Sequence, residues 1–79
     1  MRVFRATDVM RDHNFMFSAQ NVAYVEARDP KVYSQTTDCA GIGFCDGRDA
    51  RVVHGNADDW AKRLWPNTEI VDCTDKSRK

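Results

Sequence analysis

The hydrophobic pattern is most regular near the C-terminal end of the chain. Apolar side chains recur there at intervals of three and four residues, which places them on one helical stripe: Ala57, Trp60, Ala61, Leu64 and Trp65. Asn56 is positioned to accept hydrogen bonds from first-turn amides, and Pro66 ends the pattern. The spacing therefore predicts an amphipathic helix over residues 57–65, with the edge of Trp65 left exposed next to Pro66.

Two stretches upstream of this helix predict a β-hairpin. Residues 41–45 and 48–54 flank Asp46-Gly47, a dipeptide that favours the positive φ angles of a two-residue type I′ turn. Downstream of the helix, residues 68–73 hold Ile70 and Val71 between polar neighbours and predict a short strand. The C-terminal half is thus expected to run hairpin, helix, strand.

Alternation in the N-terminal half predicts two more strands, over residues 3–9 and 15–20, with a turn at residues 12–14. The next stretch, residues 21–28, fits either a helix capped by Asn21 or a third strand, and we expect the helix. Asp29-Pro30 then predicts one further helical turn. These two segments decide how many strands the domain contains.

Together the elements predict an α+β fold, a small and mostly antiparallel sheet of four to five strands covered by one or two helices. The chain has 79 residues, which suits a single domain over residues 1–75 followed by a basic tail at 76–79. A chain of this length uses its apolar side chains to build its own core. A large enclosed active site is therefore disfavoured.

Charge is balanced in total but unevenly distributed. Twelve Lys and Arg residues match twelve Asp and Glu residues, so the chain lacks the long-range positive field of proteins that coat nucleic acid or membrane surfaces. Residues 38–75 nevertheless carry four basic and eight acidic side chains. Positions 1–20 lack the apolar core of a signal peptide and no apolar run is long enough to cross a bilayer, so we expect a cytoplasmic protein without a membrane partner.

The three cysteines do not form a recognisable framework. Cys39, Cys45 and Cys73 are odd in number, which favours reduced thiols, and they lack the closely spaced ligand pairs of structural zinc sites. A small Cys/His metal-binding domain that also uses His54 stays an alternative, but the spacing favours no metal and no cofactor.

No reaction centre is evident either. Gly41-x-Gly43 with Gly47 resembles a phosphate-binding fingerprint, but the third glycine comes one place late and Asp46 would repel a phosphate. Nucleophilic catalysis by a cysteine beside His54 would also need an aspartate to orient the imidazole. The chain contains ten aspartates, so the presence of all three residue types says little about catalysis. We therefore expect a protein that is not an enzyme.

Aspartates at turns and at the helix start form the first candidate binding set, although local hydrogen bonding alone would favour aspartate there. The residues chosen as contacts to a basic partner are Asp46, Asp49, Asp58 and Asp59. A second set of candidate contacts combines an N-terminal arginine strip with the exposed indole edge: Arg2, Arg5, Arg11 and Trp65.

Residues 1–8 (MRVFRATD) and 14–23 (NFMFSAQNVA), within the first 28 residues, resemble the opening of many small phage and mobile-element proteins, among them anti-CRISPR proteins. The resemblance implies an α+β domain without enzymatic activity that docks on a CRISPR effector complex and prevents target DNA from binding. The leading expectation is thus an inhibitor of a larger nucleic-acid-handling protein or protein–RNA complex, acting by steric or electrostatic occlusion. A small nucleic-acid-binding module that uses the arginine strip is the main alternative.

Overall fold

The computed structural model describes residues 2–73, and that part of the chain folds into five strands and one α-helix. The strands are β1 (Val3–Asp8), β2 (His13–Ser18), β3 (Val22–Arg28), β4 (Cys39–Phe44) and β5 (Arg51–His54), and the helix is α1 (Ala57–Leu64). Short 3₁₀ turns occupy Ala19–Asn21 and Pro30–Tyr33, the second as expected from Asp29-Pro30. The α+β class is confirmed.

The strands form two antiparallel sheets, so the expectation of one sheet was wrong. β1 pairs with β2 in a two-stranded ribbon, and β3, β4 and β5 form a three-stranded sheet in that order. One backbone hydrogen bond, from the Val9 amide to the Val52 carbonyl at 2.8 Å, links the ribbon to β5. Because the chain turns at residues 9–12, directly after β1 ends, this bond is not extended into a ladder.

The helix expected over residues 21–28 is instead strand β3, which is a correction. β3 pairs with β4 through Val25 opposite Ile42 and Ala27 opposite Ala40, and Val22 is buried in the core. Pairing with a strand that comes later in the chain therefore outweighs the local capping signal of Asn21.

The strand expected over residues 68–73 does not form, which is a second correction. This segment has no assigned strand or helix, and both Ile70 and Val71 are largely exposed. Two apolar side chains provide too little burial to hold a separate strand on the sheet. The basic tail predicted at 76–79 lies outside the described residues.

The predicted hairpin is confirmed, but its turn is wider than expected. The last residue pair of β4 and β5 is Ile42 opposite Arg51, so Asp46-Gly47 belongs to a longer loop. Gly47 does have the positive φ angle, 85°, that favours glycine. In the ribbon, the turn lies at residues 9–12 rather than 12–14, because β2 already begins at His13.

Helix α1 follows the predicted pattern and covers the core. Trp60 and Leu64 are buried, whereas Trp65 is half-buried at the margin, past the last helical residue. The core lies between α1, the inner face of the ribbon and one face of the three-stranded sheet, and its buried members are Phe17, Val22, Ala40, Ile42, Phe44, Val53, Trp60 and Leu64. The other face of the three-stranded sheet points away from α1.

Candidate functional site

The four aspartates of the first candidate set lie at two separate places. Asp46 and Asp49 are in the loop between β4 and β5, whereas Asp58 and Asp59 are in the first turn of α1, which follows the opposite end of the hairpin. The six residues of β4 separate these ends by roughly 17 Å. The structure therefore provides two acidic regions rather than one acidic face.

Asp46 is engaged within its own loop. Its carboxylate accepts hydrogen bonds from Arg48 Nε at 2.9 Å and from Asn21 Nδ2 at 3.1 Å. Hydrogen bonds from the side chain and backbone of Arg48, together with the Asn21 contact, hold the pKa of Asp46 well below its usual range. The Arg48 guanidinium also lies over the Phe44 ring. These contacts give Asp46 a role in holding the loop against the core.

The start of α1 gathers a different group of carboxylates. Asn56 Oδ1 accepts hydrogen bonds from the amides of Asp58 at 2.8 Å and Asp59 at 3.4 Å, while Asn56 Nδ2 donates to Asp38 Oδ2 at 3.4 Å. The Gly55 amide donates to the Asp38 carbonyl, so Asp38 is held beside the helix. We call Asp38, Asp58 and Asp59 the acidic end of α1.

All three side chains of the acidic end are exposed, and none forms an ion pair with another residue in the part of the chain that the structure describes. Sequence reasoning did not select Asp38, because Asp38 reaches the helix only after β4 and β5 have paired and brought residues 38 and 55 together. Asp49 is also exposed, but lies in the opposite loop.

Most of the described arginines, in contrast, contact carboxylates or aromatic rings of the same chain. Among the described arginines, only Arg5 lacks an ion pair or an aromatic ring beneath its guanidinium. The ion pairs are Arg11 and Arg51 with Asp8, Arg28 with Glu26, and Arg48 with Asp46. The rings are Phe4 under Arg2, Phe44 under Arg48, Phe15 under Arg51 and Trp60 under Arg63.

The predicted arginine strip is consequently not continuous. Arg2 lies 5.2 Å from the centre of the Phe4 ring, and Arg11 lies 3.1 Å from the carboxylate of Asp8. Arg5 alone points freely outward, where it is paired across the ribbon with the exposed Met16. Trp65 is packed partly against the core.

Asp8 is a charged residue that sequence reasoning missed. Only 1% of it is exposed, and its carboxylate accepts hydrogen bonds from the backbone amides of Met10 and Arg11 and from the side chains of Arg11 and Arg51. Burial raises the pKa of Asp8, but these hydrogen bonds outweigh burial and leave the pKa below 3.8. The three-residue spacing of Asp8 and Arg11 could be read from the sequence. The contact between Asp8 and Arg51, which are 43 residues apart, could not.

Cys39 does not have the environment of an activated nucleophile. Cys39 is buried and lies opposite His54 on the neighbouring strand. Burial and the nearby charge of Asp38 raise the pKa of the Cys39 thiol, whereas a reactive cysteine needs a lowered value. Within residues 2–73, no three His, Cys, Asp or Glu side chains come together as metal ligands. The metal-binding alternative therefore has no donor cluster in that range.

Helix α1 is too short and too polar to cross a bilayer, and the described residues contain no other helix that would do so. Comparison with known proteins found no matching family model, no similar curated protein and no similar solved structure. The resemblance to anti-CRISPR proteins consequently stays a prediction from the first 28 residues.

Proposed function

We propose that this protein is a non-catalytic inhibitor that binds a nucleic-acid-handling effector complex and occupies its basic DNA-binding surface. The acidic end of α1 is the contact region. The observation that carries the proposal is the unequal use of charge. Six of the seven described arginines contact carboxylates or aromatic rings, whereas Asp38, Asp58 and Asp59 face solvent without an ion pair among the described residues.

This inequality matters for the electrostatic field outside the protein. A cation that is paired with a neighbouring carboxylate contributes little net field at a distance, whereas unpaired carboxylates attract a positively charged surface and speed up the encounter. Although the sequence is neutral overall, the start of α1 therefore presents negative charge to an approaching partner. Basic channels that bind nucleic acid are surfaces of matching charge.

The resemblance of the opening residues to anti-CRISPR proteins supports the choice of a CRISPR effector complex as the partner. Such a partner implies action in the cytoplasm of a host cell. The main alternative, a nucleic-acid-binding module built on the arginine strip, has weaker support because Arg2 and Arg11 have internal partners. Steep loss of duplex binding as salt rises would favour that module.

The test measures target-DNA binding by a panel of purified CRISPR effector complexes in mobility-shift assays. The wild-type protein is expected to block DNA binding by at least one complex, and the double variant Asp58→Asn/Asp59→Asn is expected to lose this inhibition. Asp12→Asn is the matched control, because Asp12 is an exposed aspartate in the ribbon turn.

Circular dichroism and urea unfolding establish that each variant is folded. If the double variant inhibits as strongly as the wild type, the acidic end is not the contact. If the wild type blocks none of the complexes, the proposed partner class is wrong.

A further inference from the structure

The loop between β4 and β5 contains Asp46-Gly47, the one place in the sequence where a glycine follows an aspartate or an asparagine. Such a pair is open to intramolecular attack, because the second residue has no side chain to hinder its own amide nitrogen. Gly47 has a φ angle of 85°, and nothing lies within 4 Å of the place that its Cβ atom would take. The backbone at Gly47 is therefore unobstructed on that side.

The reaction open to this pair is the isomerisation of aspartate. The Gly47 nitrogen attacks Cγ of the protonated Asp46 carboxyl group, a C–N bond forms, and the carboxyl hydroxyl leaves with the amide proton as water. Hydrolysis of the resulting succinimide ring takes up one water at either carbonyl and gives back aspartate or gives isoaspartate. The reaction needs no oxidant, reductant or cofactor, and the mass of the protein does not change.

In the folded protein both oxygens of the Asp46 carboxylate are occupied by donors. Oδ1 accepts hydrogen bonds from the Arg48 amide and from Arg48 Nε, each at 3.1 Å. Oδ2 accepts hydrogen bonds from Arg48 Nε at 2.9 Å, Arg48 Nη2 at 2.5 Å and Asn21 Nδ2 at 3.1 Å. An ionised carboxylate only accepts hydrogen bonds, whereas a protonated one also has a hydroxyl to donate. A proton on either oxygen would therefore face donors instead of an acceptor.

We propose that Asp46-Gly47 is a site of spontaneous isomerisation that Arg48 and Asn21 keep inactive in the folded protein. Their hydrogen bonds favour the ionised carboxylate, which has no hydroxyl to release as water, and hold the pKa of Asp46 below its usual range. Arg48 belongs to the same loop, whereas Asn21 precedes β3, so the carboxylate is also restrained from two separate segments.

Isomerisation at this place would release the loop. The main chain of isoaspartate runs through Cγ and is one carbon longer, and the free carboxylate is attached directly to Cα. Asn21 and Arg48 would lose the anion in its present position, and with it the contact that holds Arg48 beside the Phe44 ring. The proposal does not depend on the inhibitor function, because Asp46 lies at the opposite end of the hairpin from the acidic end of α1.

The experiment incubates the purified protein for several weeks at neutral pH and measures isoaspartate at residue 46 by peptide mapping. A synthetic peptide of residues 43–51 gives the rate for the same local sequence without the Asn21 contact and the folded loop. We expect the folded wild type to isomerise at least about tenfold more slowly than the peptide, because each unit of pKa changes the protonated fraction tenfold. Equal rates in the protein and the peptide would overturn the proposal.

Variants test the two residues that restrain Asp46. Arg48→Gln removes the cation and should isomerise at least about tenfold faster than the wild type. Arg48→Lys keeps the charge without the planar fork and should have an intermediate rate. Asn21→Ala removes a single donor and should have a smaller effect than Arg48→Gln. Arg5→Gln, at an exposed arginine of β1, is the matched control and should behave like the wild type. If Arg48→Gln is folded by circular dichroism and isomerises no faster than the wild type, Arg48 does not protect this site.

Discussion

Asp8 and Arg51 join the two sheets, with 2.9 Å between the Asp8 Oδ2 and Arg51 Nη1 atoms and 43 residues between them in the chain. The same carboxylate oxygen pairs with Arg11 at 3.1 Å, while the other oxygen accepts two backbone hydrogen bonds in the turn after β1. One buried side chain therefore fixes both the ribbon turn and the position of the ribbon against β5.

Replacing this carboxylate should be strongly destabilising. Asp8→Asn leaves Arg51 and Arg11 without their anion, and we expect a loss of about 3 kcal/mol in the free energy of unfolding. Urea unfolding followed by tryptophan fluorescence measures the change. Asp12→Asn, an exposed change in the same turn at a positive φ angle that asparagine tolerates, should have little effect. Equal stability of the two variants would mean that Asp8 does not hold the sheets together.

Asp8 should also make stability depend on pH in the acid range. The pKa of Asp8 in the folded protein is below 3.8, its value in an unfolded chain, so folding favours the ionised form. The stabilisation is therefore complete above about pH 5 and is lost as pH falls through the folded-state value. We expect the stability difference between wild type and Asp8→Asn to be constant from pH 7 to 5 and to shrink below pH 4. Because both proteins retain Asp46, its low pKa does not affect this difference.

Gly43 and Tyr24 should be energetically coupled. In the wild type, Gly43→Ala must displace the Tyr24 ring and should cost about 1–3 kcal/mol. In a Tyr24→Ala background the ring atoms that the added carbon would overlap are absent, and alanine should be neutral or slightly stabilising, because glycine is a poor strand residue. A double-mutant cycle by urea unfolding gives the coupling energy. Additive effects of the two changes would contradict the flat contact between ring and glycine.

The start of α1 depends on Asn56. Asn56→Ala removes the acceptor for the amides of Asp58 and Asp59 and should lower stability by about 1 kcal/mol. Asn56→Ser keeps a capping oxygen and should restore most of the loss. Asn67→Ala, at an exposed asparagine after the helix, serves as the control. Thermal unfolding by circular dichroism distinguishes these variants.

The parts of the fold that sequence predicted well are those determined by near neighbours. Apolar residues at intervals of three and four, together with the Asn56 cap, predict α1. Two strand-like segments on either side of Gly47 predict the hairpin. Whether residues 21–28 form a helix or a strand depends instead on their pairing with β4, and a local pattern does not contain that information.

The candidate site shows the same division. Asp58 and Asp59 were identified from their place at the helix start, but Asp38 joins them only through the paired hairpin. Tyr24 over Gly43 and Arg51 on Asp8 are likewise contacts between distant segments. Each contact is clear in three dimensions, yet no local sequence pattern links the two residues of either pair.

The arginines over Phe4, Phe44, Phe15 and Trp60 have a consequence for how such a short chain keeps its interior dry. Their hydrocarbon stems and flat guanidinium heads cover ring faces that a larger protein would cover with further layers of backbone, while the charged tips stay hydrated. Charged arginine side chains therefore protect the margin of the apolar core from water. Lysine at these places would keep the charge and still let water reach the rings.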